Sequence, residues 1–176
     1  MRFWVGIIPP KKISIKLYRA QKEIAKKYKT YHGLESRIGP HITITYQENV
    51  DKKDLKDVEN AVHEVSKRTE PFKVIIKGVG RFYRLRVIYL KVAKSKELKN
   101  LSNELSKRIT RFSKIRRLRI FTPHVTLADM DITKENFREA FKELGNKDFS
   151  YTFVVDRLFI GKSETARIKV YKSFKV

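Results

Sequence analysis

One short pattern occurs twice in this chain, and it restricts the fold more than any other feature. Pro40-His41-Ile42-Thr43-Ile44-Thr45 in the first half is matched by Pro123-His124-Val125-Thr126-Leu127-Ala128 in the second. In both copies an apolar residue separates His from Thr and another follows. That is the two-residue alternation of a β-strand with one buried face. The spacing places His41, Thr43 and Thr45 on one face, with Ile42 and Ile44 on the other. Likewise His124 and Thr126 share a face above Val125 and Leu127. The surroundings repeat too: His41 lies 36 residues after Val5 (41 − 5), and His124 lies 36 after Ile88 (124 − 88).

The flanking pattern supplies the rest of each half. Arg2 to Ile8 reads as a strand stopped by Pro9-Pro10, and a helix follows from about Lys12 to Tyr28, with Leu17, Ala20, Ile24 and Tyr28 on one side. A second helix is expected from about Lys52 to Arg68, with Asp51 as N-cap, then strands Phe72 to Val79 and Tyr83 to Val92 joined around Gly80. Gly78-Val79-Gly80 is read as a turn, being too short for a dinucleotide-binding fingerprint. A third helix spans about Lys96 to Phe112, and the second motif strand about Leu118 to Ala128. A helix from about Lys134 to Leu144 is capped by Thr133 and ended by Gly145. Strands from about Tyr151 to Ile160 and Ile168 to Phe174 close the chain.

Strand, helix, His-strand, helix, strand therefore occurs from Arg2 to Val79 and again from Tyr83 to Ile160. Such self-similarity predicts an α+β fold of two pseudo-symmetric lobes, each an antiparallel sheet with helices on its outer face. The two His-x-Thr strands then line a central groove. No linker or low-complexity segment separates the halves, so residues 1–176 are expected to form one bilobal domain, not divisible at the sequence midpoint.

Composition narrows the class of partner. With 41 Lys+Arg against 19 Asp+Glu, the formal net charge is +22, which favours a polyanion, nucleic acid first. A Lys-rich solvated surface is the bland alternative. Cysteine is absent, which excludes disulfides and thiolate metal sites and suggests a cytoplasmic protein. No apolar run approaches the roughly 18 residues of a membrane span. Met1 to Pro10 is read as a first strand and not a signal peptide.

Two imidazoles facing one groove suit phosphodiester cleavage. The reaction needs a base to activate the nucleophile, an acid for the leaving oxygen, and donors for the nonbridging oxygens. Imidazole serves either proton role near neutral pH, and a Thr hydroxyl two residues on can donate to phosphate. No cofactor or metal is implied: each motif offers one His, no Cys or His-x-x-x-His accompanies it, and Thr is a poor zinc ligand. Gly-x-Ser-x-Gly is absent as well. His63 reads as a surface helix residue, and His32 as an ordinary loop residue before the first motif, with a substrate contact as the minor alternative. Asp129 and Asp131 read as the end of the second motif strand and the approach to the Thr133 cap.

These residues resemble the 2H phosphoesterase superfamily, and within it the LigT-like RNA 2′,3′-cyclic phosphodiesterases, also called 2′-5′ RNA ligases. The similarity is carried by both His-x-Thr motifs, by Phe3-Trp4-Val5, by Gly80-Arg81-Phe82 with Arg86-Val87-Ile88-Tyr89-Leu90, and by Leu158 to Ser163 with Val170, Tyr171 and Phe174. The resemblance implies metal-independent opening of a 2′,3′-cyclic phosphate on RNA to a 2′-phosphate, with reversible 2′-5′ ligation of RNA ends as a side activity. It implies His41 as acid, His124 as base, and Thr43 and Thr126 as phosphate-holding groups. Thr45, Tyr46, Arg81, Phe82, Lys162 and Arg167 are the expected substrate contacts. RNA with 2′,3′-cyclic phosphate ends is the expected partner of a monomer that binds no membrane. Arg111, Lys114, Arg116, Arg117 and Arg119 are expected to follow its backbone. The chain departs from the family in having Asp129 where an Arg often follows the second motif, and Ile44-Thr45-Tyr46 where Leu-Ala-Phe is common. An RNA- or nucleotide-binding module with little turnover, or an enzyme for a small cyclic nucleotide or ADP-ribose cyclic phosphate, remains open on the same residues.

Overall fold

The two motif strands are the inner edges of two separate antiparallel sheets. The computed structural model describes residues 1–35, 38–113, 121–163 and 169–176. Along the chain run β1 (Arg2–Ile7), α1 (Lys11–Tyr28), the single turn α2 (His32–Glu35), β2 (Ile42–Gln47), α3 (Leu55–Ser66), β3 (Phe72–Phe82) and β4 (Val87–Val92). There follow α4 (Lys96–Ile109), β5 (His124–Ala128), α5 (Lys134–Gly145), β6 (Ser150–Val155), β7 (Arg157–Ser163) and β8 (Lys169–Lys175). The first sheet has strand order β2-β1-β7-β8 and the second β5-β4-β3-β6. The helices obey their apolar periodicity: Leu17, Ile24 and Tyr28 of α1, and Leu98, Leu101 and Leu105 of α4, are buried. Thr133 and Ser95 cap α5 and α4 by accepting from Asn136 N and Leu98 N. Asp51 leads into α3 through a 3₁₀ turn at 52–54 and makes no side-chain capping bond.

The halves are interlocked in a way the repeat alone does not reveal. β3, which the repeat assigns to the first half, pairs with β4 and β6 in the second sheet. The expected strand from Tyr151 to Ile160 is two strands, β6 and β7, which pass from the second sheet to the first at Asp156. Gly80 does not mark the β3–β4 turn; that turn is Tyr83 to Arg86, closed by Arg86 N donating to Tyr83 O. Gly80 lies inside β3 opposite Tyr89, and Gly78 (φ 75°) sits where the β3–β4 register shifts. The second motif strand starts at His124; Lys114 to Ile120 lie outside the described residues, and with them Arg116, Arg117 and Arg119.

The helices are exchanged as well. α1 packs on β5, α4 packs on β2, α5 lies on β3 and β4, and α3 lies against α4 and β8. The two exchanges that cover the motif strands each include a bond to the motif. Gln21 Nε2 on α1 donates to the Thr126 carbonyl at 2.7 Å, and Ser102 Oγ on α4 donates to the Ile44 carbonyl at 3.4 Å. One buried cluster accordingly joins Phe3, Val5 and Ile42 to Ile88, Leu90 and Val125. The faces opposite the helices stay open, and they carry the histidines.

Candidate active site

Each motif histidine is clamped from behind. His41 Nδ1 lies 2.7 Å from Gly39 O, and His124 Nδ1 lies 2.7 Å from Thr122 O. A carbonyl only accepts, so each Nδ1 carries the hydrogen and each Nε2 is left with its lone pair for chemistry. Aromatic rings hold the imidazoles in place. Trp4 meets His41 edge-on at 5.0 Å; Phe82 meets His124 edge-on at 5.2 Å, and Tyr89 packs tilted beside it at 5.0 Å. Both aromatic floors need a glycine next to them. A Cβ on Gly6 would stand 2.2 Å from the Trp4 ring, and one on Gly80 would stand 2.5 Å from the Tyr89 ring.

The threonines follow from strand parity, with one interruption. Thr43 pairs with Gly6 and Thr126 with Tyr89. Trp4 Nε1 donates to Thr43 Oγ1 at 3.0 Å, which leaves the Thr43 hydrogen free to donate outward. One residue further, both ladders slip: Val5 pairs with Thr45 and Ile88 with Ala128, so Ile44 and Leu127 are each the extra residue of a β-bulge. The two bulges stand 83 residues apart (127 − 44), as do the histidines (124 − 41). A bulge reverses the facing of every later residue in its strand. Thr45 therefore shares the face of core Val5, is only 6% exposed, and accepts from Gln47 Nε2 instead of facing substrate. Tyr46, paired with Trp4, turns to the open face.

Other expected contacts divide by the same rule. Phe82 stands beside His124 on the open face. Arg81 pairs with Ile88 and lies 4.3 Å from the Phe141 ring of α5, on the helix side. Lys162 pairs with core Phe3 and rests 3.7 Å from the Tyr171 ring, again on the helix side. Parity thus carries both cations away from the imidazoles. Arg167 lies outside the described residues. Sequence reasoning missed Trp4, Tyr89 and the two glycines beside them as parts of the site. The 83-residue offset relates Gly6 to Tyr89 (89 − 6) but places Trp4 opposite Val87 (87 − 4) and gives Gly80 no counterpart in the repeat, so the repeat did not single these residues out.

The two acidic residues after the second motif do more than end a strand. Asp131 accepts from Thr30 Oγ1 and from the Tyr31 and His32 amides, which pins the start of α2. Asp129 Oδ2 lies 3.0 Å from His32 Nδ1, so His32 is held at the edge of the second motif. His63 instead stacks on Phe174.

Electrostatics distinguish the two motif histidines. Burial lowers the pKa of His41, the Gly39 carbonyl raises it in part, and the charge of His124 lowers it further. Burial also lowers His124, opposed by the Thr122 carbonyl and by the Asp129 carboxylate. β2 and β5 are in contact, and the rings are close enough for charge on one to oppose charge on the other. Charge on His124 thus opposes charge on His41, while the Asp129 carboxylate favours charge on His124. Among the described residues no group of three or more His, Cys, Asp or Glu is placed to hold a metal ion, and no helix is long and apolar enough to cross a membrane.

Two sheets carrying neighbouring His-x-Thr strands define the architecture of a recognised family: residues 9–167 match the 2′-5′ RNA ligase superfamily, and the chain belongs to it. Its LigT-like α+β fold recurs in solved structures at low sequence identity. Escherichia coli LigT complexed with NADP+ superposes with a TM-score of 0.71 at 18% identity, covering 99% of this chain and 97% of that one. TT0787 of Thermus thermophilus gives 0.75 at 17% identity, with the same coverage. Among similar sequences, a Bacillus mycoides (strain KBAB4) protein named "Putative phosphoesterase" is 28% identical over 161 residues, 91% of this chain and 87% of the relative.

Proposed function

We propose that this protein is a metal-independent RNA 2′,3′-cyclic phosphodiesterase that leaves a 2′-phosphate. The observation that carries the reading is the matched pair of imidazoles, each with Nδ1 tied to a carbonyl and Nε2 free, near enough to feel each other's charge. The net charge of +22 suits an RNA substrate, and the phosphoesterase name of the Bacillus relative and the 3′-AMP complex of LigT agree with phosphate chemistry.

Water attacks phosphorus in line with the 3′ oxygen. Its oxygen bonds to phosphorus as the P–O3′ bond breaks. His124 Nε2 takes the water proton, and the resulting imidazolium is steadied by Asp129. His41, protonated in the reacting complex, gives its Nε2 proton to the departing 3′ oxygen; this acid–base order follows the family resemblance and not the electrostatics of the rings. Thr43 and Thr126 donate to the nonbridging oxygens, where charge accumulates. The products are a 2′-phosphomonoester and a 3′-hydroxyl. With the 5′-hydroxyl of an RNA in place of water, the same displacement forms a 2′-5′ linkage, and its reverse cleaves that linkage to regenerate the cyclic phosphate.

The test is an RNA bearing a terminal 2′,3′-cyclic phosphate, incubated with EDTA. Turnover persists in EDTA, the 2′-monoester accumulates, and His41→Ala and His124→Ala each lose about 10²–10⁴-fold. A substrate whose 3′ oxygen is replaced by sulfur assigns the roles, because a thiolate leaves without a proton: it restores His41→Ala and not His124→Ala. Salt-sensitive RNA binding with no product, or indifference to both substitutions, overturns the reading.

A further inference from the structure

The open face of the second sheet continues well beyond His124, and its side chains have one charge sign. On β4, Lys91 is the direct cross-strand partner of His124 and points to the same side, since its neighbours Leu90 and Val92 are both in the core. On β3, Ile76 pairs with Val92 and Val79 with Leu90, so the Lys77–Gly78 bulge lies opposite Lys91. Lys77 follows core Ile76 and so faces the open side, and it pairs with Ser150 at the outer strand. A single row thus crosses the strands as His124, Lys91, Lys77, Ser150. With strands about 4.8 Å apart, Lys77 begins roughly 10 Å from His124.

The same face also carries Lys73, Ile75, Thr152 and Val154. Ile75 is 41% exposed and Val154 56%, so no part of the described chain covers the surface. None of these open-face positions is acidic, and no carboxylate pairs with Lys77 or Lys91 among the described residues. An uncovered sheet face with lysines in line and apolar side chains between them matches what a single-stranded nucleic acid requires: cations for phosphates and apolar surface for bases.

We propose that Lys91 and Lys77 form a phosphate track that carries the RNA strand, from its cyclic end at the histidines, across the second sheet toward β6. The proposal rests on the phosphodiesterase reading for its substrate. It makes the enzyme selective for an RNA terminus over a free cyclic mononucleotide, and Lys91 and Lys77 then contact the phosphates immediately upstream of the cyclic one.

The experiment compares kcat/KM on a 2′,3′-cyclic mononucleotide with that on a short oligoribonucleotide ending in the same group. In parallel, anisotropy of a labelled 3′-phosphorylated oligoribonucleotide is followed against salt. Wild type prefers the oligonucleotide. Lys77→Glu with Lys91→Glu reduces that preference on the order of tenfold, and the milder Lys77→Gln, which tests for misfolding, reduces it in part. The slope of log affinity against log salt falls by about 0.7 for each phosphate that is no longer neutralised. If oligonucleotide and mononucleotide are opened equally well, or the slope is unmoved by the double substitution, the track is wrong while the phosphodiesterase reading stands. If no cyclic phosphate is opened, that reading fails and the salt slope alone decides the track. A dimer in sedimentation that Val154→Asp dissociates, with RNA affinity unchanged, assigns the face to a second copy of the chain and overturns the proposal.

Discussion

At the scale of the residue, two imidazoles have been made reluctant to hold a proton. An unfolded His titrates near 6.5, and both motif histidines lie below their ordinary value, principally because they are buried. The consequence for stability has a definite sign. Above about pH 6.5 both rings are neutral in folded and unfolded chains alike, and their contribution is fully present. As pH falls below that value the unfolded chain takes up protons that the folded chain refuses, so stability is lost down through the folded-state values. NMR titration of the two rings is expected to place both below 6.5. Inorganic phosphate bound between them is expected to raise both, because an anion favours the imidazolium form. Asp129→Asn removes the attraction that raises His124, so it should lower that ring's titration while leaving the Nδ1 tether to Thr122 intact. A His124 titration that does not move in Asp129→Asn would remove Asp129 from the site, whatever happened to activity.

Elements decide which residues can meet the substrate, and here the sequence was legible only in part. The alternation of Ile42 and Ile44 against His41 and Thr43 specified strand and face correctly. It failed one residue later, at Thr45, because a bulge is a property of the ladder between two strands and leaves no mark in one strand's own pattern. The same limit explains β6 and β7. From Tyr151 to Ile160 no glycine or proline breaks the run, and only the pairing partners reveal that it changes sheet at Asp156. Arg81 and Lys162 show the converse: both are expected as replacements for the Arg contact that Asp129 displaces, yet their parity aims them at the aromatic rings of Phe141 and Tyr171. Gly80 gives a test of how tightly the β3–β4 ladder shapes the site. In Gly80→Ala the new methyl needs the space of the Tyr89 ring, which itself packs on His124. The expected cost is about 1–3 kcal/mol in thermal or urea denaturation, with a loss of turnover from the displaced His124. Wild-type stability together with wild-type turnover in this variant would mean that Tyr89 does not position the imidazole.

The whole molecule is held by exchange between the halves. α1, from the first half, covers β5, α4 from the second covers β2, and β7–β8 return at the end of the chain to complete the first sheet. Polar bonds follow the same routes. Tyr28 Oη donates to Glu143 at 2.6 Å, and Lys27 pairs with the same carboxylate, joining α1 to α5. Glu59 of α3, almost fully buried, accepts from Lys172 Nζ at 2.8 Å and from Tyr171 Oη of β8. A buried carboxylate of this kind is tolerated because two donors offset its desolvation. Cutting the chain in the Tyr83–Arg86 turn tests the consequence directly. The fragment ending at Arg84 keeps β1 and β2 but loses β7, β8 and the α4 cover, and its α1 and β3 lose the sheet they pack in. Its apolar surface then has nothing to bury against, so neither fragment should unfold cooperatively alone. Mixing the two should restore the signal of Trp4, the single tryptophan, which is 1% exposed in the intact fold. Intact protein should unfold in one urea transition, seen alike by Trp4 fluorescence in the first sheet and by far-ultraviolet circular dichroism of both. Two separated transitions, or a first fragment that melts cooperatively without its partner, would show that the exchanged helices are incidental to stability and that each sheet folds by itself.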